Sequence, residues 1–152
     1  MVCVSSAAGR LALPLSSAFS ASRYALEGLC DALRVELGLF GVHVVLVEPG
    51  LLRERVGSRD LDALDAEEIF GVPAGSPYAR IARSLAAVFH HHIGRAATPE
   101  DVASVIELAL TVSNPRPRYA VSRRTAALLW ARKLLPDRLM DKRLVKAMRL
   151  ED

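Results

Sequence analysis

The chain has 152 residues, a length that fits one domain. Its residues are 51% hydrophobic and 24% charged, with a mean hydropathy of +0.23, so its composition is too apolar for a disordered segment. The net charge is +3, but residues 123–152 carry nine Lys/Arg and four Asp/Glu and hold the basic surplus. That surplus is local, and it is not interleaved with aromatic residues on which the bases of a single-stranded nucleic acid could stack. We therefore expect no nucleic-acid partner.

The first half of the chain predicts a strand, a long helix and a second strand. Residues 1–6 look like the end of a buried strand running into a loop, and residues 7–14 form a connection. Residues 16–39 then predict a helix that ends at Gly38 and Gly41. Apolar residues recur along one side of this helix, which we expect to face the core: Ala21, Ala25, Leu29, Ala32, Leu33 and Leu37. Residues 42–47 are apolar on both faces, as in a central parallel strand.

The second half predicts three further helical regions and one more strand. Residues 51–75 are irregular, and residues 77–93 predict a helix with Pro77 in its first turn. Thr98 is a predicted N-cap before Pro99, and residues 118–121 form the last predicted strand. Two short amphipathic helices follow, separated at residues 136–137. The alternation predicts the α/β class, a parallel sheet with covering helices.

Neither the cysteines nor the histidines predict a metal site. The two cysteines, Cys3 and Cys30, give no disulfide framework and fit reduced, buried thiols in a cytoplasmic protein. Consecutive helical residues point about 100° apart, so His90, His91 and His92 cannot converge on one ion. We therefore predict no metal.

Three sequence blocks occur in an order and spacing that resemble a known family. They are Val-Ser-Ser-Ala-Ala-Gly at 4–9, Ala-Phe-Ser-Ala-Ser-Arg-Tyr-Ala-Leu at 18–26, and Val-Leu-Val-Glu-Pro-Gly at 45–50. Together with residues 97–102 and 115–119, they resemble the short-chain dehydrogenase/reductase family, and within it the hydroxysteroid- and retinol-dehydrogenase-like branch. The resemblance implies that residues 1–122 are the C-terminal half of a Rossmann-like, doubly wound parallel sheet of about three strands. Residues 123–152 are then a basic amphipathic helical tail.

The resemblance also implies three catalytic positions, two of which are degenerate here. The family uses a serine, a tyrosine thirteen residues later and a lysine four residues after that, for acid–base chemistry beside a nicotinamide. These positions fall on Ser6, Phe19 and Arg23. For Ser6 we favour descent from the catalytic serine over a serine that only caps a loop. For Arg23, a solvated helix residue and a retained ribose contact are equally supported. A phenyl ring has no proton to give, and Tyr24 lies about 100° further round the helix.

For the cofactor, the resemblance implies NAD or NADP. The residues that would contact it are Arg23, Pro49, Gly50, Leu51 and Leu52. The 152 residues contain no Gly-x-x-x-Gly-x-Gly turn for the pyrophosphate, and the family's frequent threonine position falls on Glu54. A carboxylate there would repel cofactor phosphates. We therefore expect no useful NAD(P) affinity from this chain alone.

Two hypotheses for the function follow from the resemblance. The first is a truncated or degenerate NAD(P)-dependent oxidoreductase, of a family that acts on hydroxyl or carbonyl groups of apolar alcohols and ketones such as steroids or retinoids. It would be inactive as this chain, whose start inside a predicted core strand suggests a truncated product or an incomplete gene model. The second is a non-catalytic pseudoenzyme that associates with itself or with a full-length relative through helix 16–39.

The tail allows two further interpretations. Its two helices combine apolar and basic residues, and such helices can lie on an anionic membrane surface. The favoured alternative is that they pack over the substrate pocket or against a partner subunit.

Overall fold

The computed structural model describes residues 1–53, 55–56, 59–60 and 64–150. Five strands lie in this part of the chain: β1 (Val2–Val4), β2 (Val45–Glu48), β3 (Arg55–Val56), β4 (Arg59–Asp60) and β5 (Arg118–Ala120). The helices are α1 (Ser17–Gly38), α2 (Ala66–Phe70), α3 (Ala79–Ile93), α4 (Pro99–Thr111), α5 (Arg123–Leu134) and α6 (Asp137–Ala147), with a 3-10 turn at Ala7–Gly9.

The centre of the fold is a parallel sheet in the order β1-β2-β5. Residues 44–49 are all buried, so the buried segment begins two residues later than the predicted strand 42–47, whose first two residues are exposed. β1 itself is only half-buried, and Val4 is exposed. Alternate residues of β2 point to opposite faces. Leu46 packs towards α1 with Cys30 and Val44, whereas Val45 packs with Ala109 of α4 and Tyr119. Helices therefore cover both faces, and the predicted α/β class is confirmed.

The core-facing side of α1 differs from the predicted one. Leu33 and Leu37 pack against the core as expected, but Ala21, Ala25, Leu29 and Ala32 are exposed. The buried positions of the helix are Ser20, Glu27 and Cys30. The prediction was wrong because it followed the apolar residues alone, whereas this helix buries polar side chains and exposes a row of small and apolar ones.

Residues 51–75 contain more regular structure than predicted. β3 and β4 form an antiparallel pair, and α2 begins at the N-cap Asp65 with a capping box to Glu68. The capping signal of α4 was predicted correctly: the Thr98 hydroxyl accepts a hydrogen bond from the Asp101 amide, with Pro99 in the first turn.

The last two helices lie where the sequence predicted them. α5 is capped by Ser122 and buries Thr125 and Leu129, and α6 buries Met140. The separate status of 1–122 and 123–152 as domain and tail stays a prediction. Among the described residues, no helix is long and apolar enough to cross a membrane.

Candidate functional site

Ser6 lies two residues after the end of β1, where the chain turns towards α1. The Ser5 amide donates to the Val47 carbonyl at 2.8 Å and the Ala7 amide to the Pro49 carbonyl at 2.7 Å, so this segment follows the end of β2. The Ser6 hydroxyl accepts a hydrogen bond from the Ala8 amide at 3.1 Å and caps the 3-10 turn. A hydroxyl that accepts this bond keeps its own proton for donation, so the cap and an oxygen-binding role are compatible.

Phe19 and Arg23 lie one turn apart on α1 and contact each other. The Arg23 guanidinium is 4.9 Å from the centre of the Phe19 ring, and Phe19 is 46% exposed. Arg23 also donates to the Val4 carbonyl at the end of β1, at 3.5 Å. A Cβ on Gly9 would come within 3.1 Å of the Arg23 carbonyl, so glycine allows the Ser6 turn to approach the helix closely. We call Ser6, Phe19 and Arg23 the residual site.

The predicted cofactor residues Pro49, Gly50, Leu51 and Leu52 are engaged within the protein. The Leu51 carbonyl accepts from the Ala97 amide at 3.1 Å, and Leu52 forms a bridge with the same residue. A Cβ on Gly50 would lie 2.3 Å from the Thr125 hydroxyl, so the space beside this glycine is filled by α5. Glu54 lies outside the described residues. These residues form at most one wall of a dinucleotide site and do not fit a whole NAD(P) molecule.

A second polar cluster lies under the sheet beside the residual site. Arg118 of β5 donates to Glu27 at 3.0 Å and to Asp31, and it lies 3.5 Å from Glu48. Arg10 reaches Glu48 at 3.3 Å from the other side. We call these residues the ion network: Arg10, Glu27, Asp31, Glu48 and Arg118.

The ion network was not predicted, although two patterns in the sequence indicate it. Glu48 and Leu46 lie on the same face of β2, which Arg118 shares because it pairs with Leu46. Glu27 and Asp31 are four residues apart on α1 and therefore lie on one side of the helix.

Burial gives the network and the residual site unusual electrostatics. Burial raises the pKa of the Glu48 carboxyl, although Arg10 opposes the shift. One oxygen of Glu27 and the Nε of Arg23 are buried without a hydrogen-bond partner among the described residues, as are the hydroxyls of Ser5 and Ser20.

The cysteines and histidines form no metal site in the described part of the chain. Cys30 is buried, and its burial beside Cys3 raises the pKa of its thiol to about 11, so it is a poor nucleophile at neutral pH. His90 contacts the Leu64 carbonyl at 3.0 Å, while His92 lies 3.3 Å from Arg124. These histidines therefore belong to the surface of α3.

The residual site combines a hydroxyl, a cation and an aromatic ring that carries no hydroxyl. Ser6 offers a hydroxyl and Arg23 a permanent positive charge, which suits an oxygen that carries negative charge. Phe19 cannot act as an acid or a base. The doubly wound sheet, with this site after its first strand, defines the class of α/β proteins whose sites lie at the carboxyl ends of parallel strands.

Comparisons with known proteins identify the family. The family model described as short chain dehydrogenase matches residues 1–62. The chain is 34% identical over 142 residues to YbbO of Escherichia coli (strain K12), described as an uncharacterized oxidoreductase, with 93% of this chain and 46% of that protein covered. It is 34% identical over 128 residues to human 17-beta-hydroxysteroid dehydrogenase type 1, with 82% and 37% covered.

A solved structure agrees with the sequence matches. A short-chain dehydrogenase from Streptomyces avermitilis matches with a TM-score of 0.64 and 25% identity, over 98% of this chain and 50% of that one. The chain therefore belongs to the short-chain dehydrogenase/reductase family, whose members generally use NAD(P). It spans about half or less of the length of the relatives it matches.

Proposed function

We propose that this chain carries a degenerate oxidoreductase site that can hold a substrate oxygen but cannot perform the proton-transfer step. The observation that carries the proposal is the Arg23–Phe19 stack, with 4.9 Å between the guanidinium and the ring. The family resemblance assigns the position of the acid to Phe19, whose ring has no hydroxyl, and the neighbouring Arg23 is a cation that does not lose its proton. Losing a general acid costs a factor of roughly 10²–10⁴ in rate.

The substrate class follows from the relatives. One relative is named for a steroid and another, from Ornithobacterium rhinotracheale, as an NADPH-dependent 3-dehydrocapnine reductase. We infer that the parent reaction acts on a hydroxyl or carbonyl group of an apolar compound such as a steroid or retinoid, with NAD or NADP. In this chain, Pro49, Gly50, Leu51 and Leu52 supply one wall of that site.

Turnover and cofactor binding test the loss of catalysis. The wild-type chain, Phe19→Tyr, and Phe19→Tyr with Arg23→Lys are assayed for NAD(P)-dependent conversion of hydroxysteroids and retinol, with Tyr24→Phe as a matched control on the same helix. We expect no turnover from any of them and no micromolar NAD(P)H binding by calorimetry, because no Gly-rich pyrophosphate turn occurs in the sequence. Turnover by the wild type would overturn the proposal. Turnover by the double variant alone would show that this chain can bind NAD(P) without a Gly-rich pyrophosphate turn.

A second candidate function is association, and the exposed side of α1 favours it. This side carries a row of small and apolar residues opposite the core: Ala21, Ala25, Gly28, Leu29, Ala32 and Val35. Leu29 is 55% exposed and Val35 is 72% exposed. A continuous apolar face of this kind is typical of a protein–protein contact. We propose that it binds a second copy or a full-length relative.

Self-association distinguishes this candidate. We expect Leu29→Glu to weaken self-association at least tenfold, because it places a charge in the apolar contact. Leu110→Glu on α4 is the control, since Leu110 is also helical and 65% exposed. Light scattering after size-exclusion chromatography measures the mass. A wild-type monomer at all concentrations, with no complex with a full-length relative, would rule out this role.

A further inference from the structure

Helix α5 has two apolar sides, and only one of them is used within the fold. Thr125 and Leu129 are buried against the rest of the chain. On the opposite side, Ala127, Trp130, Ala131 and Leu134 follow the i, i+3, i+4, i+7 spacing of one helix face. Trp130 is 62% exposed and Leu134 is 72% exposed. We call this row the tail stripe.

Helix α6 divides its residues differently. Its apolar residues Met140 and Leu144 face inward and line a cavity of about 280 Å³ together with Leu11 and Tyr24. Four of its nine exposed residues are Lys or Arg, and Leu139 lies among them, 50% exposed. The inward packing over Leu11 and Tyr24 therefore leaves a basic outer side that begins four residues after Leu134.

The positive charges of these helices are largely free for a partner. α5 and α6 together contain eight Lys/Arg and two Asp. Arg132 pairs with Asp137 at 2.8 Å. Within the described part of the chain, the following residues form no ion pair: Arg123, Lys133, Arg138, Lys142, Arg143 and Lys146. The ammonium group of Lys133 lies 5.5 Å from the centre of the Trp130 ring, so a cation borders the tail stripe directly.

We propose that α5 and α6 form a docking surface for an anionic lipid membrane, with the tail stripe in the interface and the basic residues on lipid headgroups. An apolar row with a tryptophan beside unpaired lysines and arginines is the combination by which helices lie on such surfaces. Negatively charged headgroups complement the basic residues, while the acyl boundary covers Trp130 and Leu134. The inference is independent of the residual site.

Trp130 is the only tryptophan in the chain, which makes it a direct reporter. The 152-residue chain is titrated with vesicles of phosphatidylcholine, with or without phosphatidylglycerol. With phosphatidylglycerol we expect the Trp130 emission to shift to shorter wavelength, and at least about tenfold weaker binding without it. Added salt should weaken the binding because it screens the charges.

Paired variants separate this surface from a general charge effect. Lys142→Glu with Lys146→Glu should weaken binding to the anionic vesicles at least about tenfold. The control, Arg83→Glu with Arg95→Glu, makes the same change in net charge at exposed positions near α3 and should alter binding less than about twofold. Leu134→Ser should weaken binding, whereas Leu110→Ser on α4 should not.

Several outcomes would overturn the proposal. Equal binding to vesicles with and without phosphatidylglycerol would show that the basic residues do not bind anionic headgroups. An unshifted Trp130 emission in the bound state would remove the tail stripe from the contact. Equal losses in the two charge-reversal variants would show a non-specific attraction. Binding to RNA in preference to the vesicles would assign the basic side to another class of partner.

Discussion

The residual site and the ion network lie side by side, yet their polar groups are treated in opposite ways. In the ion network, Glu27 and Glu48 have side chains only 7% and 2% exposed, and Arg118 reaches both. In the residual site, the Nε of Arg23 is buried without a hydrogen-bond partner among the described residues. The guanidinium lies over Phe19, whose ring has no oxygen to accept a hydrogen bond.

This difference distinguishes side chains that the stability of the fold requires from side chains that only a reaction would require. A carboxylate buried without a cation costs several kcal/mol, so Glu27 and Glu48 require Arg118 whatever the protein does. A phenyl ring in place of a phenol at a half-exposed position costs the fold little, because Phe19 is not in the core. The network is therefore a structural element, whereas the fold does not depend on whether residue 19 is Phe or Tyr.

The sharpest test of this comparison is Arg118→Met. It leaves Glu27 and Glu48 buried with Arg10 as the remaining cation near Glu48, and we expect a loss of about 3 kcal/mol in the free energy of unfolding. Phe19→Tyr should change that free energy by less than about 0.5 kcal/mol, as for most surface substitutions. Urea denaturation followed by circular dichroism measures both.

The control for Arg118→Met is Arg95→Met, which removes an exposed arginine outside the network. A loss equal to that of the control would mean that the network carries no stability. A loss of the same size in Phe19→Tyr would erase the contrast between the two clusters.

The next test asks whether Gly50 serves a cofactor contact or the packing against Thr125. The resemblance assigns Gly50 to the cofactor, but its Cα faces the Thr125 hydroxyl so closely that an added Cβ would lie at 2.3 Å. We expect Gly50→Ala to lower the free energy of unfolding by about 1–3 kcal/mol through overpacking. Thr125→Ala removes the clashing hydroxyl, so the loss caused by Gly50→Ala should shrink in that background. Equal losses in both backgrounds would contradict a packing role.

The sequence predicted the sheet because strands and their order depend on local patterns that residues 42–47 and 118–121 carry openly. It did not predict the core-facing side of α1. The apolar residues Ala21, Ala25 and Leu29 suggested one side, but the side that faces the sheet is set by Arg118, which is 87 residues from Asp31 in sequence. The i, i+4 spacing of Glu27 and Asp31 is visible in the sequence, but the residue with which they pair is not.

The positions of the residual site could be predicted only through the family resemblance. The spacing between Ser6 and Phe19 has no physical meaning by itself, since it depends on how the turn at Ala7–Gly9 returns the chain to α1. The contact of Arg23 with Phe19 follows from their i, i+4 positions on α1. The contact between Gly50 and Thr125 is a tertiary feature that a single sequence does not contain.

The smallest expected effect lies in the pH dependence of stability, where two carboxylates of the network should act in opposite directions. Burial raises the pKa of Glu48 above its ordinary value of 4.5, so its contribution is complete below that value and is lost as the pH rises through the folded-state pKa. Partial burial of Asp31 works against its shift, but hydrogen bonds from Arg34 and Arg118 lower its pKa below 3.8. Its contribution is therefore present above that value and is lost as the pH falls.

Between acidic and neutral pH, the stability of the wild type relative to Glu48→Gln should fall, whereas its stability relative to Asp31→Asn should rise, as measured by urea denaturation at each pH. Glu36→Gln is the reference for losing one exposed carboxylate. If the stability difference between the wild type and each variant changed with pH in the same direction for Glu48→Gln and Asp31→Asn, the two carboxylates would not differ in their electrostatic environment. That result would contradict the assignment of one buried and one exposed partner to Arg118.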